Sequence, residues 1–425
     1  MPKAVKRYDF SRKPLKPSKF WMWIARSFAI PPYFRGRKLN VNKIGMDGIK
    51  PPYLLFCTHA GMIDFPVMYR AIAPYNANNV VAIDAMRDVG DWLMRKLGCI
   101  CKRKFVHDYH LIRNLKYCVD HYGIACMYPE ARYSLDGTTS FLPESLAKIS
   151  KLLKVPVVVL RMHGNFISGP QWNKEEKRVP LYAELELVAT AEEAQALSVD
   201  ELNEKIHSKL QIDDFAYQRD RALEIDNPRR ANGLHHILYQ CPHCGREFQM
   251  YSEGTRIWCA SCGKAWQMGI YGELTAEEGE TEFSHIPDWT KWERENVRNE
   301  VRSGTYRFED EVTVHTLPGA KRFYDQGKGR LTQTADGTHL ECTAYGEKVD
   351  LFWAGNELES VHIEYDYPYN KKKYRKNIFG DCVDISVTDD SYWLHPVNLR
   401  DQLTKISFAT EEIYFLAQEN VKKKN

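Results

Sequence analysis

Short apolar runs alternate with amphipathic segments between residues 50 and 210. The runs carry apolar side chains at consecutive positions, which is typical of strands buried on both faces of a parallel sheet. We predict strands over 53–57, 79–83, 99–101, 124–128, 155–161 and 181–189, and helices over 65–73, 90–97, 107–122, 143–154 and 191–209. This alternation predicts an α/β fold in which helices cover a mostly parallel sheet.

The second half of the chain has a different pattern. Helices are predicted over 288–302, which Gly304 ends, and over about 410–422. Strands are predicted over 311–316, 329–334, 339–345, 348–353, 360–365, 382–387 and 391–394. This series of strands followed by a helix resembles a pleckstrin-homology or GRAM-like domain. We therefore expect a β-rich, barrel-like unit with a terminal helix.

The length of 425 residues is enough for two or three domains. We predict an N-terminal membrane-contacting segment over 1–35 and an α/β domain over 36–215. A connector and cysteine-rich unit would follow over 216–270, and the β-rich domain over 271–425. A basic segment over 370–376 lies between two predicted strands. It is expected either to contact membrane phosphates or to be a solvated hairpin tip.

The N-terminal segment is basic and aromatic. The first forty residues contain eleven Lys or Arg and a single acid, Asp9, although the net charge of the whole chain is only +3. A short helix is expected from Ser18 to Ile30, with Phe20 and Phe28 on one line. Such a helix either lies in an anionic membrane interface or packs on its own domain. Its apolar stretch is too short to span a bilayer, which needs roughly twenty residues.

The cysteines indicate a reducing compartment. Of eleven cysteines, four form a metal-binding pattern and the others have no disulfide-like spacing. The N-terminus also lacks the apolar core and small residues of a signal peptide. We therefore expect a cytoplasmic protein, peripheral on the inner face of the membrane.

The candidate chemistry begins with His59 and Asp64, which follow a predicted strand and precede a predicted helix. In a parallel sheet, such strand ends are where sites form. A carboxylate on one imidazole nitrogen leaves the other nitrogen free as a base. The plainer alternative is that Asp64 caps the helix and His59 is an ordinary loop residue. Glu130 follows another predicted strand, so it is expected at the same edge of the sheet.

Four segments in order resemble the glycerolipid acyltransferase family of the lysophosphatidate acyltransferase type. His59 and Asp64 match its H-x4-D motif, and Glu130 in Tyr-Pro-Glu-Ala-Arg resembles its F-P-E-G-x-R block. Residues 155–159 resemble its V-P-V-V-P strand, and residues 98–104 lie where the family has G-x-x-F-I-x-R. The resemblance does not extend to the C-terminal half of the chain.

This resemblance implies that His59 deprotonates the free hydroxyl of a lysophospholipid and that Asp64 orients His59. The oxygen would then attack the thioester of acyl-CoA or of acyl carrier protein, in phospholipid biosynthesis. Glu130 would help to hold the polar head of the acceptor. An acceptor other than 1-acyl-glycerol-3-phosphate, such as another lysolipid or glycerol phosphate, remains an alternative.

The cationic positions depart from the family pattern. The arginine of the family's F-P-E-G-x-R block falls at Tyr133, whereas this chain has Arg132 one place earlier. Ala131 replaces the glycine of that block. The arginine of the family's G-x-x-F-I-x-R segment falls at Lys104, and Arg103 is adjacent. We predict that Arg132, Arg103 and Lys104 bind the phosphate of the acceptor. The alternative is that they are solvated or ion-paired surface charges. Because Arg binds phosphate as a fork and Lys as a point charge, the head-group preference is expected to differ.

Two C-x2-C pairs predict a zinc ribbon. Cys241 and Cys244 are followed, after fourteen residues, by Cys259 and Cys262, and a glycine comes after each pair. Four thiolates complete a tetrahedral Zn²⁺ site with no open position, so the metal would be structural. His243 is a less well spaced ligand. A redox C-x2-C pair or unrelated buried cysteines are the rival interpretations.

A different class of function is also compatible with these features. Zinc ribbons and basic arms often bind nucleic acid, so the chain could be a nucleic-acid-binding protein with an inactive enzyme domain. However, the ribbon is only modestly charged and the basic arm is rich in aromatic residues. We therefore favour an acyltransferase whose partners are a lysophospholipid, an acyl thioester and an anionic membrane, and do not expect nucleic acid.

Overall fold

A seven-stranded sheet organises the N-terminal half, which we call the α/β unit. The computed structural model describes residues 5–173, 175–367 and 380–424. The strands are β1 (Leu39–Ile44), β2 (Tyr53–Cys57), β3 (Ala77–Ala82), β4 (Ile100–Lys102), β5 (Ile124–Met127), β6 (Val157–His163) and β7 (Leu181–Ala189). Their order is β1-β7-β6-β2-β5-β3-β4, and every neighbouring pair is parallel except β6 with β7.

Helices cover both faces of this sheet. They are α1 (Lys19–Ile24), α2 (Asp64–Ala71), α3 (Ile83–Val89), α4 (Asp91–Lys96), α5 (Tyr109–His121), α6 (Leu146–Leu153), α7 (Asn165–Ser168), α8 (Ala191–Ala196), α9 (Val199–Lys209) and α10 (Asp214–Asp220). Helix α1 continues as a π-helical turn (Ala25–Ala29) and a 3₁₀ turn (Pro31–Phe34). The segment expected as one helix over 191–209 is two, because Ser198 starts a new helix with its own capping box.

The central strands are buried on both sides, as their continuous apolar pattern predicts. Leu55 and Leu160 belong to the apolar cluster on one face of the sheet, and Phe56 and Val159 to the cluster on the other. The expectation of a mostly parallel sheet covered by helices is confirmed. Because β2 and β5 are adjacent and parallel, the loops after them lie side by side at one edge.

The cysteine-rich unit, which we call the ribbon, is a small antiparallel sheet. Its strands are β8 (Met250–Glu253), β9 (Arg256–Cys259), β10 (Ala265–Met268) and β11 (Leu274–Ala276). The helix α11 (Ile286–Ser303) follows and ends at Gly304, whose φ of +73° favours glycine.

The C-terminal sheet is antiparallel throughout. Its strands are β12 (Arg307–Thr316), β13 (Tyr324–Thr334), β14 (Gly337–Ala344), β15 (Glu347–Ala354), β16 (His362–Tyr367), β17 (Gly380–Ser386) and β18 (Ser391–Pro396), and α12 (Leu403–Lys424) ends the chain's regular structure. Their order is β15-β14-β13-β12-β18-β17-β16.

The expected barrel is wrong for the residues that the structure describes. The two edge strands, β15 and β16, do not pair with each other there, so the sheet is open. Helix α12 packs against this open sheet, and its residues Ile406, Ala409 and Ile413 lie in the apolar core and are nearly inaccessible to solvent. The basic segment over 370–376 lies outside the described residues.

Candidate active site

His59 and Asp64 form a hydrogen-bonded pair at the carboxyl end of β2. The imidazole Nδ1 lies 2.9 Å from Asp64 Oδ2, and Asp64 is the first residue of α2. The same oxygen accepts the backbone N–H groups of Ala60 at 2.7 Å and Gly61 at 3.0 Å. Asn165 Nδ2 donates to the other oxygen at 2.7 Å. The fully buried carboxylate is therefore held in one orientation toward the imidazole.

The imidazole is placed so that its second nitrogen can act as a base. An aspartate at Nδ1 assigns the ring proton to that nitrogen and leaves Nε2 with its lone pair. The ring packs between Tyr128 and Tyr133, with centroid distances of 4.5 Å to each. The side chain of His59 is 16% exposed, whereas that of Asp64 is inaccessible. This arrangement suits proton abstraction from a hydroxyl that approaches from solvent or a lipid surface.

Glu130 joins the loop of His59 to the loop after β5. Its Oε1 accepts the backbone N–H of His59 and its Oε2 that of Ser140, both at 2.8 Å. Burial raises the pKa of Glu130 to about 7, although the two backbone N–H groups oppose the shift. A contact between Glu130 and an acceptor head group stays a prediction. What the structure describes is a carboxyl group that positions the main chain of His59.

The raised pKa of Glu130 predicts a specific pH dependence of stability. Between its ordinary pKa of 4.5 and its folded pKa of about 7, the carboxyl is ionised in the unfolded chain but protonated in the folded one. Its stabilising contribution is therefore complete below pH 4.5 and is lost as the pH rises to 7, a change on the order of 3 kcal/mol. Relative to wild type, Glu130→Gln should gain stability by up to about this amount over that range.

Urea unfolding of both proteins at pH 4.5 and pH 8 measures this difference. Glu192→Gln, at an exposed glutamate of α8, is the matched control and should show no such trend. A stability difference between Glu130→Gln and wild type that is the same at both pH values would contradict the assignment.

The three predicted phosphate-binding cations face the C-terminal sheet and α12. Arg132 Nη2 lies 2.7 Å from Glu411 Oε1, and Lys104 Nζ lies 3.2 Å from Asp384 Oδ2. Arg103 donates to the carbonyls of Leu317, Pro318 and Asp389 and to the hydroxyl of Ser391. All three side chains are at most 9% exposed. Phosphate binding by these residues stays a prediction, and in the described conformation it would require these bonds to break.

A second His–Asp pair lies at the end of β6. His163 Nδ1 lies 3.2 Å from Asp214 Oδ1, and the other oxygen of Asp214 accepts the backbone N–H groups of Gly164 and Phe166. Side chains alternate between the two faces of the sheet along β6, so His163 lies on the same face as Val159. Leu160 lies on the opposite face, in the apolar cluster that also contains Tyr128. His163 therefore has the same local chemistry as His59 without the same surroundings, which makes it a useful control.

The four predicted zinc ligands converge in the ribbon. Their sulfur atoms lie within 4.8 Å of one another, with 3.7 Å between Cys241 and Cys262 and 3.8 Å between Cys244 and Cys259. A tetrahedral zinc with Zn–S bonds of about 2.3 Å puts its sulfurs about 3.8 Å apart. The glycines after the two pairs have φ of +75° and +79°, which lets each pair turn both thiols inward. The cluster can therefore hold Zn²⁺.

Comparison with known proteins gives a structural likeness but no family. No protein-family model matches the chain, and no curated protein matches it. Among solved structures, the chain is similar to the 1-acyl-sn-glycerophosphate (LPA) acyltransferase PlsC from Thermotoga maritima. The two share 15% sequence identity with a TM-score of 0.35, and the match covers 44% of this chain and 78% of that chain. What the chain does is therefore inferred from the geometry of His59 and its partners.

Proposed function

We propose that the protein transfers an acyl group from a thioester, acyl-CoA or acyl carrier protein, to the free hydroxyl of a lysophospholipid. The observation that carries the proposal is the His59–Asp64 pair, with Nδ1 held at 2.9 Å and the ring partly open to solvent. The resemblance of His59 and Asp64 to the H-x4-D motif, and of the segment around Glu130 to the F-P-E-G-x-R block, supplies the class of substrate. The ribbon holds a structural Zn²⁺ and takes no part in the chemistry.

In this proposal, His59 Nε2 removes the hydroxyl proton while the acceptor oxygen forms a bond to the thioester carbon. The C–S bond then breaks, and the proton passes from the imidazolium to the leaving sulfur. Asp64 stabilises the imidazolium and keeps its orientation, a role that depends on its anchoring by Asn165. A positioned base contributes roughly 10²–10⁴-fold to such a reaction, so alignment of the two substrates must supply much of the remainder.

A thiol-release assay tests the function directly. Purified full-length protein is incubated with acyl-CoA or acyl carrier protein thioesters and a panel of lysophospholipids that differ in head group, with glycerol phosphate included. Free thiol and acylated lipid should form together, and only when both substrates are present. Thiol release that does not depend on any acceptor would indicate a thioesterase and would contradict the proposal.

We also propose that an aromatic patch, formed by Phe20, Trp23, Phe28 and Trp92, docks on an anionic membrane. Each of these residues is at least 58% exposed, and Trp23 contacts Phe28 with ring centroids 5.9 Å apart. Trp92, on α4, extends the patch onto the folded unit through Trp21. Among the described residues, no helix is both long and apolar enough to cross a bilayer. Interfacial contact through such aromatics is the mode that fits this surface.

Replacing Trp23 and Phe28 by serine should weaken vesicle binding by roughly tenfold or more, because two exposed aromatic side chains no longer enter the interface. Co-sedimentation with vesicles containing anionic phospholipid measures the effect. Tyr109→Ser is the control, since Tyr109 is 88% exposed but lies on α5 and is not part of the patch. Equal binding by both variants would exclude the aromatic patch as the docking surface.

A further inference from the structure

A small cavity lies where the ribbon meets the α/β unit. Its walls are largely apolar, and the cavity volume is about 20 Å³. Trp172 and Phe215 come from the α/β unit, and Met268 comes from the ribbon. Three polar side chains also reach it, those of Lys177, Gln218 and Arg230. None of the three belongs to the proposed active site or to the cysteine cluster.

Lys177 is an unusual amine. The residue is 6% exposed, and within the part of the chain that the structure describes its Nζ donates no hydrogen bond and has no carboxylate within 4 Å. Burial lowers the pKa of Lys177 to about 8, with Glu175 opposing the shift. Glu175 is itself paired with Arg229 at 3.2 Å. Close to pH 8 a substantial part of the Lys177 side chains therefore carry a free, nucleophilic amine.

The two other polar groups offer one acceptor and one donor. Gln218 is 1% exposed, and its Nε2 donates to the carbonyls of Leu223 at 3.1 Å and Ile270 at 3.0 Å, which fixes the orientation of the amide. Its Oε1 is buried and has no hydrogen-bond donor among the described residues. Arg230 binds the carbonyl of Met268 through Nε, and no carboxylate among the described residues lies within 4 Å of its guanidinium.

We propose that Lys177 is a site of reversible CO₂ addition, which converts its amine into a carbamate. The neutral Nζ forms a bond to the carbon of CO₂, one C=O electron pair becomes the carboxylate, and the nitrogen releases a proton to solvent. No oxidant or reductant is needed. Starting from the ammonium form, two protons are released for each adduct, and the side chain changes from a cation to an anion.

The chemistry of the cavity lining suits the reactant and the product. CO₂ is small and apolar, so it can enter a space whose walls include Trp172, Phe215 and Met268. The carbamate N–H is the donor that Gln218 Oε1 lacks, and the carbamate oxygens are acceptors for the guanidinium of Arg230. Since Arg230 also holds the ribbon main chain, the adduct would tie the ribbon to the α/β unit.

Trapping and mass spectrometry test the proposal. The full-length protein is equilibrated at pH 7.5 with ¹³C-labelled CO₂ and bicarbonate, alkylated with triethyloxonium and digested. The peptide containing Lys177 should carry the labelled ethoxycarbonyl group. Lys405 is the internal control, because it is similarly buried at 9% exposure but its amine is engaged by Glu247 and Glu300. The readout does not depend on acyl transfer, so it stands whether or not the proposed function is correct.

Two variants separate the site from general lysine reactivity. Lys177→Met keeps an unbranched side chain that is one atom shorter and has no amine, so a folded protein that lacks the labelled peptide is expected. Gln218→Met, which removes the acceptor for the carbamate N–H, should lower the labelled fraction at Lys177 several-fold. Absence of label at Lys177 in wild type, or equal label at Lys177 and Lys405, would overturn the proposal.

Discussion

The variant His59→Ala should lose acyl transfer by about 10²–10⁴-fold while keeping the fold of the wild type. The loss follows because Nε2 is the only atom proposed to accept the hydroxyl proton. The fold is expected to survive because the ring is partly exposed and lies in a loop held by backbone bonds from Glu130 and Ser134, which alanine keeps. Turnover by thiol release and the midpoint of thermal unfolding measure the two quantities separately.

The matched control is His163→Ala. His163 also bonds a buried aspartate and has a similar exposure, 14% against 16%. Any loss of stability caused by removing a His–Asp hydrogen bond should appear in both variants. Loss of turnover caused by removing the base should appear only in His59→Ala. Near-normal turnover in His59→Ala, or an equal loss in His163→Ala, would show that His59 is not the base.

Local signals predicted the α/β unit well and the C-terminal sheet less completely. The strands around 53–57 and 181–189 follow from their own apolar runs, and the structure has both. Strand β1 was missed because it is an edge strand with polar residues at alternate positions and partial exposure throughout. The barrel was wrong for the described residues because it requires the edge strands β15 and β16 to pair, and the pairing of strands distant in sequence is not set by local patterns. The burial of α12 depends on contacts with distant strands, which the pattern of apolar residues within α12 does not predict.

The same division applies to the candidate site. His59 and Asp64 are five positions apart, so their pairing could be expected from the sequence. Asn165 is 101 positions from Asp64, and its only sequence signal is that it comes just after a strand. The directions of Arg103 and Arg132 could not be predicted, because their partners belong to the C-terminal half. A cationic residue beside a motif predicts a positive charge near the site. The group that this residue binds depends on how distant segments of the chain pack.

The second large effect is expected at the metal site, where Cys262→Ser should unfold the ribbon at 25 °C. An exposed side chain such as that of Cys262 normally tolerates substitution within about 0.5 kcal/mol. Loss of one of four thiolates instead removes most of a zinc-binding free energy on the order of 10 kcal/mol. The damage should spread, because Trp266 packs on Trp289 of α11 and Glu247 pairs with Lys405 of α12. Tryptophan fluorescence, limited proteolysis and the zinc content per chain measure the result.

Cys342→Ser separates metal loss from ordinary cysteine replacement. Cys342 is 9% exposed and lies in the C-terminal sheet, away from the cluster. On burial alone, the Cys342 substitution should be the more damaging of the two. A metal site reverses that order, with Cys262→Ser losing zinc and Cys342→Ser retaining one zinc per chain. A strong chelator should reproduce the Cys262→Ser phenotype in wild type. If serine at position 262 leaves the ribbon resistant to protease and chelator alike, the four thiols hold no structural metal.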